Sequence, residues 1–273
     1  MESESMIHKH AVVSQDEWTN VHTSFLEEEK ELTRLSDRLK EKRRQLPWVK
    51  IEKNYVFEGE NGSVSFSDLF DGKSQLIIQH FMFGPNDTQG CPGCSFTADH
   101  VDSARLHFEH NDLAFAAVSR GEIGKLLEYK KRMGWTFNWV SSFGSDFNYD
   151  FHVSFKKEDL EKGKVYHNFE MIETDMEELP GTSVFYKNEA GDIFHTCSFY
   201  GRGAESLVGA YNYLDLTPKG RNEYGPDNNL NDWVRRHDEY EVQPTKENSI
   251  ASCCSSSEVG MNVNELAEMP KIR

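Results

Sequence analysis

The chain has 273 residues, enough for one large domain or two small ones, with 37% hydrophobic and 12% aromatic residues to build a core. Its 46 acidic residues outnumber 30 basic ones, and a formal charge of −16 repels phosphate backbones and anionic lipid, so neither nucleic acid nor a membrane is expected as a partner. A mean hydropathy of −0.69, a polar stretch from Met1 to His10 and no apolar run near the ~20 residues that cross a bilayer lead to the expectation of a soluble, cytoplasmic protein with reduced thiols.

Trp18, Val21, His22, Phe25, Leu32, Leu35, Leu39 and Leu46 recur at spacings of three, four and seven, one stripe of an amphipathic helix that Pro47 ends. Residues 1–50 thus read as an N-terminal helical extension, its stripe packing on the body or on a partner subunit in a homo-oligomer. From Asn54 the period changes. Tyr55-Val56-Phe57 and Val64-Ser65-Phe66 flank a Gly-containing turn and predict a hairpin. Gln75 to Phe83 is nearly continuous apolar sequence, the pattern of a strand covered on both faces. After the loop 84–90, Cys91, Cys94, Ala98, Val101 and Phe108 share one helical stripe, and Leu113 to Val118 predicts another buried strand. Strand, helix, strand in that order implies a right-handed parallel crossover.

A second helix follows, with Ile123, Leu126, Leu127 and Met133 inward, then an aromatic stretch from Trp135 to Phe155. Thr182–Tyr186 and Ile193–Phe199 predict a second hairpin, and Ala204 to Leu214 a closing helix. The body, residues 51–243, therefore reads βαβ, a helical connection, then ββα. This is the α/β arrangement of a thioredoxin-like fold with a mixed central sheet. Residues 244–273, Ser-, Glu- and Asn-rich and carrying Cys253 and Cys254, read as a flexible tail.

Five cysteines are too few and too unevenly placed for a disulfide scaffold, and Cys91-Pro92-Gly93-Cys94 opens a helix straight after a buried strand. Pro92 suits the first helical position, and the unpaired amides of a helix start favour a thiolate. Cys91 is thus the candidate nucleophile and Cys94, one turn further in, the candidate resolving thiol. Two other readings stay open. One is a structural pair of thiols; the other is a metal site joining the pair to His100, His107 or His110, although no second CxxC or HxxxH lies at finger spacing. No cofactor or metal is expected. Cys197, in an apolar strand, reads as an inert buried thiol.

Two flanking residues join the candidate site. Peroxiredoxins carry Pro-x-x-x-Thr-x-x-Cys before the reactive helix. Here Pro85 to Cys91 is one residue shorter between Pro and Thr, so Thr88 is a candidate peroxide donor whose register is off by one, in a loop that also reads as a simple turn. Pro180 precedes the second hairpin, where thioredoxin folds place a proline facing the dithiol; a cis Leu179–Pro180 bond is expected. Arg235-Arg236-His237-Asp238 reads equally as an anion site and as a charged helix end.

The stretches ELTRLSDRLK, LPWVKIEKNYVFEG, FMFGPND, GCPGCSFTADH, VSRGEIGKLLEYKKRMGW, WVSSFGSDFNYDF, LPGTSVFY, YNYLDLTPKGR and WVRRHDEY, between residues 15 and 241, resemble the thioredoxin-like family catalogued as domain of unknown function 899. The resemblance implies a thioredoxin-like fold with an N-terminal helical extension and a C-terminal segment packed on the domain. It carries the CxxC position onto Cys91 and Cys94, and leaves Cys197 and the tail outside the pattern. Two functions follow from the sequence. The first is a thiol–disulfide oxidoreductase or thiol peroxidase acting on a small or protein disulfide or peroxide. The second is a non-redox binding or scaffold protein with a pocket lined by the aromatics from Trp135 to Phe151.

Overall fold

The computed structural model describes residues 10–221 and 233–241; the predicted tail, with Cys253 and Cys254, lies outside them. A capping box opens the first element. Ser14 Oγ accepts the Glu17 N–H, the Glu17 carboxylate accepts the Ser14 N–H, and α1 runs Gln15–Arg44. It stops short of Pro47 and buries none of its residues, so its stripe does not pack on the body as one reading expected.

The strands, in chain order, are β1 (Val49–Lys50), β2 (Val56–Gly59), β3 (Gly62–Ser65), β4 (Gln75–His80), β5 (Leu113–Ser119), β6 (Asn138–Ser141), β7 (Val165–His167), β8 (Glu170–Ile172), β9 (Gly181–Lys187) and β10 (Ile193–Phe199). Eight form one sheet in the order β1-β10-β9-β4-β5-β6-β2-β3; β7 and β8 pair separately. β4, β5 and β6 run parallel, whereas β9 pairs antiparallel with β4 and β10 with β9. The central order β10-β9-β4-β5, with helices crossing from β4 to β5, is the thioredoxin-like arrangement. The fold is thioredoxin-like.

Alternation along the strands explains why the sheet is covered on both sides. Leu76, Ile78, Ala114, Ala116 and Val118 enter one core with Phe66, Phe147 and Phe185. Ala117, Trp139, Phe81 and Phe83 enter the other, where Cys94, Leu126 and Tyr129 pack over them. The second core lies under α2 (Pro92–Ala98), α3 (Val101–His110) and α4 (Ile123–Arg132).

The structure departs from the sequence reading at four places. The stripe from Cys91 to Phe108 is two helices, because His100 closes the first: its Nδ1 bonds Phe96 O at 2.7 Å and its Nε2 accepts the Ala210 N–H at 3.0 Å. The aromatic stretch hides β6, a strand of only four residues, together with the short helix α5 (Phe147–Asp150). A further short helix, α6 (Lys157–Leu160), leads to β7 and β8. The closing helix is a 3₁₀ segment, Gly201–Leu207, then α7 (Gly209–Asp215), broken at Val208 in an extended conformation. No described helix is long and apolar enough to cross a membrane.

Candidate active site

β4 delivers the chain to the dithiol through a loop that folds on itself. The Gly84 N–H donates to Asp87 Oδ2 at 2.7 Å and the Asp87 N–H to Gly84 O at 3.1 Å. That turn carries Thr88 outward, where it is exposed and lines no part of the cavity beside the cysteines. Thr88, the candidate peroxide donor, thus stands outside the lining that both cysteines share. Gly90 brings the chain back: a Cβ there would lie 2.6 Å from Phe81 and 2.8 Å from Tyr129, so only glycine fits.

The Cys91 N–H then bonds Met82 O at 3.2 Å, and Pro92 starts α2 at the position where its missing N–H costs nothing. Ser95 holds the Cys91 carbonyl twice, by its N–H and its Oγ, each at 2.9 Å; the same Oγ meets Tyr129 Oη at 2.9 Å. Cys94 is buried one turn in. Its Sγ accepts the Met82 N–H at 3.4 Å, and Gln79 Nε2 donates to its carbonyl at 2.9 Å. Both cysteines are free thiols.

The two sulfurs are electrically unlike. The Cys91 pKa is lowered from 9.0 to about 6, chiefly because Cys94 donates a hydrogen bond to its thiolate, then because the amides of Cys94 and Gly93 point at it and Arg236 adds a positive charge, all against the opposing cost of burial. Cys94 is pushed well above its ordinary range by the thiolate it bonds, by burial and by the charge of Glu178.

Arg236 is a contributor from far along the chain. Its Nε and Nη2 donate to Gly90 O at 3.0 and 2.6 Å, and its Nη1 to Glu239 Oε1 at 2.9 Å. The guanidinium thus bridges the carbonyl just before Cys91 and the Glu239 carboxylate. Its segment is fastened by the Asp238 carboxylate, which takes Arg132 Nε and Nη2 at 2.7 and 3.0 Å. His237 Nδ1 also meets Asp99 Oδ1 at 2.7 Å, the oxygen that accepts Trp135 Nε1–H at 2.8 Å.

Pro180 lines the same cavity as both cysteines, but no described peptide bond is cis. The expected cis Leu179–Pro180 bond is corrected. The chain reaches Pro180 already extended, with Leu179 N–H on Val153 O and Phe155 N–H on Glu177 O, both at 2.9 Å, and needs no reversal before β9. Glu178, two residues earlier, went unnoticed in sequence because nothing local marks an acidic residue as buried. Burial raises its carboxyl pKa from 4.5 to about 7, although Arg120 stands 3.4 Å away and pulls the other way.

The cavity has a volume of about 600 Å³. Met82, Phe96, Leu179, Tyr211 and Val234 give it an apolar wall facing the dithiol, with Arg202 and Glu205 among the polar residues that also line it. The aromatics expected to line a pocket do not: Trp135, Phe137, Trp139, Phe147 and Phe151 are buried in the two cores. His100 has both ring nitrogens engaged by the backbone, and His107 and His110 are on α3, away from the cavity lining. Cys197 is half-buried on β10 outside the cavity lining, its pKa raised by burial.

The family described as "Bacterial protein of unknown function (DUF899)" matches residues 7–240. The chain belongs to this family. Within the DUF899 match lie the dithiol, Pro180 and the Arg236 segment alike. Among curated proteins, no sequence match was found. Among solved structures, the DUF899 chain is similar to peroxidoxin BcpB from Mycobacterium tuberculosis, at 11% identity and a TM-score of 0.41, covering 62% of this chain and 97% of that one. A cysteine-to-serine mutant of peroxiredoxin Q from Xanthomonas campestris gives 13%, 0.40, 59% and 89% for the same quantities. A putative thiol:disulfide interchange protein DsbE from Chlorobium tepidum gives 12%, 0.37, 60% and 97%.

Two outcomes follow from this geometry. Gly90→Ala forces Phe81 or Tyr129 aside and shifts Cys91, and should cost about 1–3 kcal/mol in urea unfolding; an unchanged midpoint contradicts the close approach. Glu178 has a folded pKa above its unfolded value, so the stability it contributes is complete below about 4.5 and is lost as pH rises through about 7. Glu178→Gln should therefore raise the melting temperature at pH 8, by a gain on the order of 1–3 kcal/mol, and not at pH 4. A loss at pH 8 would show that pairing with Arg120 outweighs burial.

Proposed function

We propose that the protein is a thiol–disulfide oxidoreductase acting on a small disulfide that enters the cavity. The observation that carries this reading is the asymmetry of the dithiol: a partly exposed sulfur that ionises near pH 6 beside a buried one held as a thiol, both on one apolar cavity.

The chemistry then runs in two exchanges. The Cys91 thiolate attacks one sulfur of the substrate; the substrate S–S bond breaks, a Cys91–substrate mixed disulfide forms, and one thiolate leaves and takes a proton from water. Cys94 then loses its proton and attacks the Cys91 sulfur, closing the Cys91–Cys94 disulfide and expelling the second substrate thiolate. The substrate gains two electrons and the protein loses two. An external dithiol reductant returns them.

Each neighbour has a part in this scheme. Arg236 and the amides of Gly93 and Cys94 stabilise the attacking thiolate. Ser95 and Met82 fix the two cysteines in place. Pro180 and the first residues of β9, Gly181 and Thr182, line the cavity that the nucleophile faces. A hydroperoxide could use the same thiolate: attack on its outer oxygen would break the O–O bond, release an alcohol and leave a sulfenic acid that Cys94 converts to the disulfide with loss of water. With Thr88 turned away, no donor from the 84–90 loop stands ready for that branch, so disulfide exchange is the preferred reading.

The test is mass spectrometry under non-reducing conditions. Incubation of the reduced protein with hydroxyethyl disulfide should yield an intramolecular Cys91–Cys94 disulfide. The Cys94→Ser variant should stop at the mixed disulfide on Cys91. Thiols that stay reduced with excess disulfide, in a protein that still melts cooperatively, overturn the proposal.

A further inference from the structure

α1 is thirty residues long, about 45 Å, and every one of its residues is at least partly open to solvent. Trp18, Phe25, Leu32 and Leu39 stand seven residues apart on it, with exposures of 52, 52, 67 and 51%, and Val21 and Leu35 fill the same stripe between them. Helices in proteins draw most of their stability from packing an amphipathic face, and an uncovered stripe of large apolar side chains marks a contact surface. A strict seven-residue period is the seam of a left-handed coiled coil, because a straight 3.6-residue helix would drift off that line.

The charges on the same helix select the occupant. Residues Gln15 to Glu31 carry six acidic side chains and one basic; Leu32 to Arg44 carry six basic and two acidic. Pairs within the helix, Glu27–Lys30, Asp37–Lys40 and Glu41–Arg44, neutralise only part of this segregation. A second copy lying parallel would set acid on acid and base on base. An antiparallel copy sets each acidic half against a basic half, through one self-complementary patch repeated by a two-fold axis. We infer that α1 is the homodimer interface of this protein, two copies pairing antiparallel along the Trp18-Phe25-Leu32-Leu39 seam.

The interface lies close to the chemistry without being part of it. Arg43, in the last turn of α1, stacks over the Phe199 ring at 4.9 Å, and Phe199 lines the cavity. The seam residues themselves touch neither cysteine.

Sedimentation velocity of the full chain at micromolar concentration tests the inference. The wild type should sediment as a dimer and the Phe25→Glu/Leu32→Glu variant as a monomer, with the melting of the sheet domain unchanged because these side chains are exposed on α1 and belong to neither core. Reversing Glu27, Glu28 and Glu29 to Lys, with the apolar seam intact, should weaken dimerisation at least tenfold. A wild-type monomer or larger assembly, or a dimer that survives the double substitution, overturns the interface. A dimer abolished by the double substitution but indifferent to the charge reversal overturns the antiparallel arrangement.

Discussion

The hydrogen bond that Cys94 gives to Cys91 makes the ionisation of one sulfur depend on the neutrality of the other. Each feature around the pair serves that division. Burial alone would raise both thiols, and the protein opposes it chiefly at Cys91, where two helix amides aim at the sulfur and the Arg236 charge is nearby; Cys94 receives only the Met82 N–H. At Cys94 the same burial is reinforced by the Glu178 charge. One short helix start thus holds a thiol shifted toward the thiolate and one shifted toward the neutral form within a single turn, and the sheet beneath supplies the rigidity that the arrangement needs.

That rigidity comes from close packing. The loop returns to Cys91 through Gly90, pressed against Phe81 and Tyr129 so closely that no side chain fits. Tyr129 in turn shares a hydrogen with Ser95, which grips the Cys91 carbonyl. On the far side, Arg236 takes the Gly90 carbonyl, and its own segment is fixed through Arg132 and Asp99 to α4 and the α2–α3 junction. A chain segment more than 140 residues from the dithiol in sequence therefore helps set both its position and its charge. This gives a concrete meaning to a C-terminal segment packed on the domain.

Much of the architecture was legible in the sequence because long apolar runs report burial directly. Gln75 to Phe83 and Leu113 to Val118 could only be central strands, and a CxxC between them at a helix start marked the candidate site. What escaped had physical reasons. β6 is four residues long inside an aromatic stretch, too short for a period to show. The break at His100 depends on Ala210, over a hundred residues on, whose amide meets the imidazole. Thr88 was judged by spacing, but Asp87 turns the loop and carries it away. The depressed Cys91 pKa was anticipated from the helix start, whereas the largest cause is its partner thiol; Arg236 was read only as part of a charged cluster and Glu178 escaped notice, because charge acts through space rather than along the chain.

The pH dependence of Cys91 alkylation with iodoacetamide, followed by peptide mass spectrometry, reads the division between the two sulfurs. In the wild type, Cys91 should label with a midpoint near pH 6 while Cys94 stays unlabelled through neutral pH. Cys94→Ala, which removes the donated hydrogen bond, should move the Cys91 midpoint upward by more than Arg236→Gln does, and both should move it in that direction. Equal labelling of the two cysteines, or a Cys91 midpoint at the ordinary value of free cysteine, would contradict the claim that the fold separates a thiolate from a thiol.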